Sequence, residues 1–262
     1  MKDAILSHLK AGYPWKEQLF CFDTIGSTND YLKKLAQQGA PHGTVVIADH
    51  QTGGHGRMGR SFQSPVGMGV YMSILLRPDC PAAELMHLTC AAAVAMCDAV
   101  ETSCGLRPGI KWTNDLVFGT KKLGGILTEL GLSSRGNADY AIIGIGINCS
   151  QKRADFSSDI RDIATSVDMV TGKPQNRYRL AAAMMEALQQ LDLSQKDAIL
   201  TRYRKDCVTL GRDISLLRGD EIRHGRALDI DDEGALIVCF ADGSTEAVSS
   251  GEVSIRGMYG YV

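Results

Sequence analysis

Eight consecutive residues, Gly53-Gly54-His55-Gly56-Arg57-Met58-Gly59-Arg60, hold four glycines and two arginines. They lie just behind the apolar run Thr44-Val45-Val46-Ile47-Ala48, so a buried strand must open there into a glycine-rich loop. Without a Cβ, the backbone can turn through positive φ and approach a ligand closely. Bare N–H groups in such a loop form an anion-binding concavity, and guanidinium forks suit phosphate or carboxylate. A loop of this composition stays mobile until something orders it. Two readings follow from the segment alone: a lid closing over an anionic, reactive small molecule, or a plain hairpin with two solvated arginines.

A chain of 262 residues has room for one large domain, or a medium domain and a small one. At 44% hydrophobic and 22% charged it has the composition of a globular protein. No apolar run approaches the roughly 20 residues of a membrane helix, and Met1-Lys2-Asp3-Ala4 does not open a signal-peptide core. The eight cysteines contain no Cys-x-x-Cys pair, so neither a zinc pattern nor a disulfide framework is expected. Cys90, Cys97 and Cys104 fall seven apart and should share one helix face. Free buried thiols suit a reducing cytoplasm. The net charge of -2 weakens a reading as a nucleic-acid binder, and about twenty residues before the first strand leave no room for a DNA-reading module.

The sequence predicts a strand at Leu19-Phe20-Cys21-Phe22 and then a helix capped by Ser27, with Asp30 at its third position and Gly39 as its stop. Strands are expected at residues 44–49, 70–76, 109–112, 125–130 and 140–146. Helices are expected at Pro81 to Cys104, Arg179 to Leu191 and Lys196 to Leu210. After Gly211 the texture changes to short alternating segments at residues 213–217, 221–228, 235–240 and 245–248. Between them stand Arg218-Gly219-Asp220, Asp231-Asp232-Glu233-Gly234 and Asp242-Gly243-Ser244. The expected fold is α+β: a mixed-sheet domain over residues 1–210 and a small β-barrel over 211–262.

Three more segments carry chemistry. Ser27-Thr28-Asn29 gathers hydroxyls, an amide and free N–H groups at a helix start, which is either an ordinary cap or a polar ligand site. Lys111-Trp112-Thr113-Asn114-Asp115 with Lys121-Lys122-Leu123-Gly124-Gly125 can present an ammonium, an amide and a carboxylate for nucleotide chemistry, with Asn or Asp for magnesium. Asn114-Asp115 can equally be the turn of a hairpin, and the two lysines can be solvated. Gly144-Ile145-Gly146-Ile147-Asn148 is a buried strand ending in an amide.

Together these segments resemble the biotin protein ligases. Gln51-Thr52-Gly53-Gly54-His55-Gly56-Arg57-Met58-Gly59-Arg60 is similar to that family's Q-x-x-G-R-G-R-x-G-R, and Lys111-Trp112-Thr113-Asn114-Asp115 to its K-W-P-N-D. Lys122-Leu123-Gly124-Gly125-Ile126-Leu127-Thr128-Glu129 resembles its K-L-x-G-I-L-x-E, and Ser27-Thr28-Asn29 and residues 144–148 match two further motifs in the expected order. The likeness runs from about residue 20 to about 150 and more loosely through residues 251–256. His55 stands where the family has arginine, replacing a permanent charge with an imidazole; Thr113 stands where it has proline.

The resemblance implies the mixed-sheet catalytic domain of the biotin/lipoate ligase type followed by an SH3-like barrel. It implies activation of biotin by ATP with Mg2+ to biotinyl-5'-AMP, and transfer to a lysine of a biotin carboxyl carrier domain of a carboxylase. By the same resemblance Ser27, Thr28, Asn29, Gln51, His55, Gly56, Arg57 and Lys122 bind biotin. Arg57, Lys111, Trp112, Asn114, Asn148 and Arg256 contact the nucleotide, and Asp115 serves magnesium or the acceptor amine. Arg57, Lys111, Asp115 and Lys122 form the catalytic set. The expectation is a short-form cytoplasmic enzyme, monomer or homodimer, acting without DNA or membrane. A lipoate or octanoate ligase of the same fold is the alternative; it lacks a use for the Ser27-Thr28-Asn29 and Gln51 cluster, because its ligands carry no ureido ring.

Overall fold

The computed structural model describes residues 1–78, 80–133, 136–249, 254–257 and 262, with the backbone alone at 254, 256 and 257. Its elements run α1 (Lys2–Leu6), β1 (Leu19–Ile25), α2 (Thr28–Gln37), β2 (Val45–Gln51), β3 (Gly69–Leu76), α3 (Leu88–Cys104), β4 (Gly109–Lys111), β5 (Asp115–Phe118), β6 (Lys121–Leu132) and β7 (Ala138–Asn148). There follow α4 (Val167–Thr171), α5 (Arg177–Gln189), α6 (Lys196–Asp206), β8 (Asp213–Arg218), β9 (Glu221–Ile230), β10 (Leu236–Phe240), β11 (Thr245–Val248) and β12 (Ser254–Gly257).

The first seven strands form one mixed sheet in the order β1-β2-β3-β7-β6-β5-β4, in which β1 and β2 run parallel and the other pairs antiparallel. All of β3 is buried, as its unbroken apolar run predicts for a central strand. The last five strands form a separate antiparallel sheet, β11-β10-β9-β8-β12.

Strand alternation sends the two faces of the large sheet to different partners. Val45, Ile47, Met72, Ile74, Ile143 and Ile145 belong to the main core with α3 and α5. Val46, Leu75 and Ile142 belong to a smaller cluster with Leu32 and Ala36 of α2. The same alternation makes Gly144-Ile145-Gly146-Ile147-Asn148 two-sided. Ile145 and Ile147 fill the main core, and the glycines and Asn148 face the α2 side.

Local signals hold where expected and fail where packing competes. Ser27 caps α2, its hydroxyl accepting from the Asp30 N–H at 3.4 Å. Gly105 ends α3 in the left-handed region at φ 77°, its N–H donating to Glu101 O. The expected helix from Pro81 to Cys104 divides, however. Residues Ala82–Leu85 form a 3-10 turn, and α3 starts only at Leu88, after His87 at ψ 0°. His87 turns its ring to the Leu193 carbonyl instead of capping the helix. The stretch Ala82–Cys104 is long and apolar enough by composition to cross a membrane, yet Ala91, Ala92, Ala93, Met96 and Cys97 are packed in the core. Cys90 and Cys97 are buried and Cys104 is half-buried.

The helix expected to reach Leu210 stops at Asp206, because the chain beyond it pairs with the sheet edge: Val208 N donates to Ile110 O at 2.9 Å. Strands β6 and β7 outrun their apolar cores, since their ends are lysines, glycines and an asparagine. The five-residue helices α1 and α4 are too short to show a period.

Candidate functional site

A cleft of about 780 Å³ opens on the α2 face of the large sheet. Its lining includes Ser27, Thr28, Asn29, Gln51, His55, Gly56, Arg57, Lys111, Trp112, Asn114, Asp115, Lys122 and Asn148, thirteen residues singled out from five separate sequence segments. The remaining expected contact, Arg256, lies in β12 opposite Ser215, and its side chain lies outside the described residues; its neighbour Ile255 does line the cleft.

Glycines make the floor. A Cβ on Gly144 would lie 2.0 Å from Asn29 Oδ1, and one on Gly146 would lie 2.4 Å from Phe62 Cε1. The bare strand therefore lets the α2 amide and the Phe62 ring descend onto the sheet.

One end of the cleft is neutral and tightly bonded. The Thr28 N–H donates to Gln51 Oε1 at 2.9 Å, and Thr28 Oγ1 lies 3.1 Å from the same oxygen. Gln51 Nε2 donates to Ser64 Oγ at 3.0 Å, which donates to Phe62 O at 3.1 Å. Asn29 Nδ2 donates to Glu129 Oε2 at 2.8 Å. Ser27, Thr28 and Asn29 are nearly fully buried, so these bonds satisfy groups that would be costly left alone.

The other end carries charge. Residues Arg57–Gly59 form a 3-10 turn at the tip of the glycine loop, closed by the His55–Ser61 bridge and by Gly56 N donating to Arg60 O at 2.7 Å. The loop was expected to use its glycines for positive φ. Only Gly59 does so, and the other left-handed residue is Met58, at φ 56°. Gly54 is needed for space, since a Cβ there would lie 2.8 Å from Phe62 O. Arg57 Nη1 donates to Asn114 Oδ1 at 3.1 Å; burial lowers the guanidinium pKa and Asp115 opposes that shift. His55 is held locally, Nδ1 to Gly53 O at 3.2 Å, with Nε2 3.9 Å from Asp30 Oδ1.

Strands β4 and β5 pair through the turn 112–114, so Asn114 ends the turn, Asp115 opens β5 opposite Lys111, and both border the cleft. Asn114 clips this turn onto β6: its Nδ2 donates to Ile126 O at 2.7 Å and its carbonyl accepts from Ile126 N at 2.9 Å. Lys122 Nζ and Asp115 Oδ1 form an ion pair at 2.6 Å beside Gly125. Lys111 is buried at 6% exposure. Trp112, expected near the nucleotide, commits its indole N–H to Gly234 O of the small sheet at 3.0 Å and packs in the main core while also bordering the cleft. The peptide Trp112-Thr113 is cis, and Thr113 O accepts from Tyr203 Oη at 2.9 Å. Asn148 is held by Thr165 O and Gln151.

The sequence reading missed an apolar wall. Phe156, Ile160 and Ile163 line the cleft from a segment bonded along Lys122, with Lys122 N donating to Ile163 O at 2.7 Å and Thr165 N to Lys122 O at 2.8 Å. Their i, i+4, i+7 spacing was the available signal. Phe62 has no comparable signature. Among the described residues no cluster of three His, Cys, Asp or Glu side chains could cage a metal.

This fold and cleft belong to an enzyme of the ligase class. Residues 21–148 match the biotin/lipoate A/B protein ligase family, and residues 209–256 match the biotin protein ligase C terminal domain. The bifunctional ligase/repressor BirA of Bacillus spizizenii is 36% identical over 89% of this chain and 73% of its own length. The biotin--[acetyl-CoA-carboxylase] ligase of Mycobacterium tuberculosis is 32% identical over 93% of this chain and 90% of its own. Among solved structures, the biotin protein ligase from Aquifex aeolicus in complex with biotin and ATP superposes with a TM-score of 0.76, at 28% identity over 91% of this chain and 98% of that one. The chain belongs to the biotin/lipoate A/B protein ligase family.

Proposed function

We propose that this cleft joins biotin to ATP and hands the biotinyl group to a lysine of a carrier domain of a carboxylase. The observation that carries the reading is the juxtaposition, in one cleft, of a neutral cluster at Thr28, Asn29 and Gln51 with cations at Arg57, Lys111 and Lys122. A ureido ring is neutral and bidentate, so hydroxyl and amide partners suit it. A carboxylate meeting a triphosphate needs fixed positive charge.

In the first step a carboxylate oxygen of biotin attacks the α-phosphorus of ATP. The bond from that phosphorus to the bridging oxygen breaks, and pyrophosphate leaves. Lys122 holds the attacking carboxylate, exchanging its partner Asp115 for it, and Arg57 with the loop N–H groups embraces the acyl-phosphate. Lys111 and Asn114 hold the phosphates of ATP, with Trp112, Asn148 and Arg256 at the nucleotide's edge. In the second step the acceptor amine attacks the acyl carbon and AMP leaves. The amine's proton goes to a base, for which Asp115 stands ready once Lys122 is engaged elsewhere. The acyl-phosphate hydrolyses if water reaches it, so the glycine loop closes while the intermediate is held. Magnesium arrives as part of Mg-ATP. A protein carboxylate plus substrate phosphates is an ordinary setting for that ion, and Asp115 is an acid of the cleft that would share in it.

We place the division between catalytic and C-terminal domains at residues 210/211, and the enzyme in a reducing cytoplasm; eight free cysteines support that placement. The deciding experiment is mass spectrometry of a carrier domain incubated with the protein, biotin and Mg-ATP. One biotinyl increment on one lysine is expected. No increment with biotin, or one only with lipoate, would overturn the reading.

A further inference from the structure

The glycine loop carries one ionisable side chain to which the proposed steps give no task, His55. The first arm of the loop is stitched to the segment that leads into α2: Thr52 N donates to Ile25 O at 3.0 Å, and Gly53 N to Gly26 O at 2.8 Å. That stitch carries the next residues past the start of the helix. His55 lies there with Nδ1 3.2 Å from Gly53 O and Nε2 3.9 Å from Oδ1 of Asp30, in the first turn of α2. Beyond this point the loop closes on itself, through the His55–Ser61 bridge, Gly56 N to Arg60 O at 2.7 Å and Phe62 N to Gly54 O at 2.8 Å. A hold on His55 is therefore a hold on the tip that carries Arg57.

The two neighbours of the ring decide which protonation state fits. A backbone carbonyl only accepts, so Nδ1 must carry a proton toward Gly53 O. An ionised carboxylate also only accepts, so attraction at Nε2 exists only when that nitrogen is protonated as well. Imidazolium meets both conditions, and neither neutral tautomer does. One tautomer turns a lone pair toward Asp30, and the other turns one toward Gly53 O. The charged groups around the ring are Asp30, Lys33 and Lys34 of α2, and Arg57 and Arg60 of its own loop. Lys33 Nζ lies 3.9 Å from Glu129 Oε1, and Arg57 donates to Asn114. Asp30 is the carboxylate within 4.0 Å of the imidazole among the described residues.

We propose that His55 is a positioning residue, the charged half of a latch to Asp30 that holds the glycine loop against α2 while the acyl-adenylate is bound. The inference rests on the biotin reading and adds to it a proton-dependent grip on the lid. Imidazole changes charge between about pH 5 and 8. The latch is set on the acid side of that window and released as pH rises through it, which leaves Arg57 to retain the intermediate with less support. A guanidinium in the same place would grip throughout the window. The histidine thus makes retention adjustable where an arginine would fix it.

The test is the release rate of biotinol-5'-AMP, a stable analogue in which a methylene replaces the acyl carbonyl, chased with excess biotin between about pH 5.5 and 8. An analogue of this kind keeps hydrolysis of the anhydride out of the measurement. Wild-type release is expected to quicken about two- to fivefold across the window, the scale of one partly exposed ion pair. His55→Gln and Asp30→Asn should release at the wild type's high-pH rate throughout, changing less than about 1.5-fold. His55→Arg should stay near the low-pH rate. A merely structural role for either residue speeds release by the same factor at every pH and leaves the rise in place. A rise that persists in His55→Gln, Asp30→Asn or His55→Arg therefore overturns the proposal, as does a flat wild-type profile. His55→Gln also separates His55 from His50, which lines a neighbouring groove. If one of these variants does not fold, the others decide with the wild-type profile. A wild-type protein that binds neither biotin nor the analogue overturns the biotin reading itself, whereas binding with a flat profile overturns the latch alone.

Discussion

The two ends of the cleft are built on different physics. At the neutral end the side-chain polar groups of Thr28, Asn29 and Gln51 are bonded to neighbours, of which Ser64 and Ser73 are buried and Glu129 half-buried. At the charged end the contacts are between groups that carry charge: Arg57 on Asn114, and Lys122 on Asp115. A head group recognised by hydrogen bonds needs fixed geometry before it arrives. A reacting carboxylate and triphosphate instead need charge that can change partners as bonds form. On the proposed reading, specificity sits on a sheet and a helix start, and chemistry on a hairpin and a loop.

The sharpest way to break this contrast is Lys122→Met. It should lower biotin-dependent ATP–pyrophosphate exchange by about 10²–10³-fold, the scale of losing one preorganised charge partner. A change below tenfold would show that the charged end does not depend on that ammonium. Gly144→Ala probes the neutral end, because the new Cβ falls on Asn29 Oδ1. Overpacking of this kind should cost about 1–3 kcal/mol in stability, and displacing the amide should weaken biotin about tenfold. Urea melts and calorimetry measure the two separately, and the KM for ATP should hardly move.

Arg57→Gly should loosen the lid. Losing a charge-assisted bond worth about 1.5–3 kcal/mol implies roughly tenfold or greater escape of the intermediate. The readout is biotin labelling of an unrelated lysine-rich protein, and labelling no higher than wild type would exclude retention by Arg57. Trp112→Phe removes the indole bond to Gly234 O while leaving the charged end intact. It should lower the melting temperature by about 2–4 °C per kcal/mol lost and leave the exchange rate near wild type. A large catalytic loss would instead place the ring on the nucleotide.

The smallest effect concerns acid stability. Burial lowers the pKa of His87 below its ordinary 6.5. The unfolded chain then takes up the proton first, so the stability His87 contributes is full above about pH 6.5 and is lost as pH falls through its lowered folded value. Melting temperature should drop between pH 7 and 5, and less so in His87→Gln. That profile separates acid unfolding from any change at the charged end.

Much of the site was legible because its chemistry uses glycine, lysine, arginine and amides in short runs. Those runs sit at strand ends and a helix start, where local sequence controls the backbone. The hairpin at Asn114-Asp115 shows where such reading stops: only the pairing of β4 with β5 puts Asn114 in the turn and Asp115 on the strand, with both bordering the cleft. Trp112 stayed ambiguous for a related reason, since the partner of its indole, Gly234, is 122 residues away.

The sequence by itself determined the α+β class, the capped start of α2, the buried centre of β3 and the order of the five motif segments, because capping, strand alternation and glycine act over a few residues. Tertiary structure alone decided that Ser73 and Glu129 stand behind Thr28 and Asn29, that Phe62 and the wall at Phe156, Ile160 and Ile163 close the cleft, and that Lys122 meets Asp115. Most of those contacts join elements far apart in the chain, and even the nearby pair Lys122 and Asp115 meets only across the β5–β6 pairing, so sheet register, which no local pattern encodes, brings them within bonding distance.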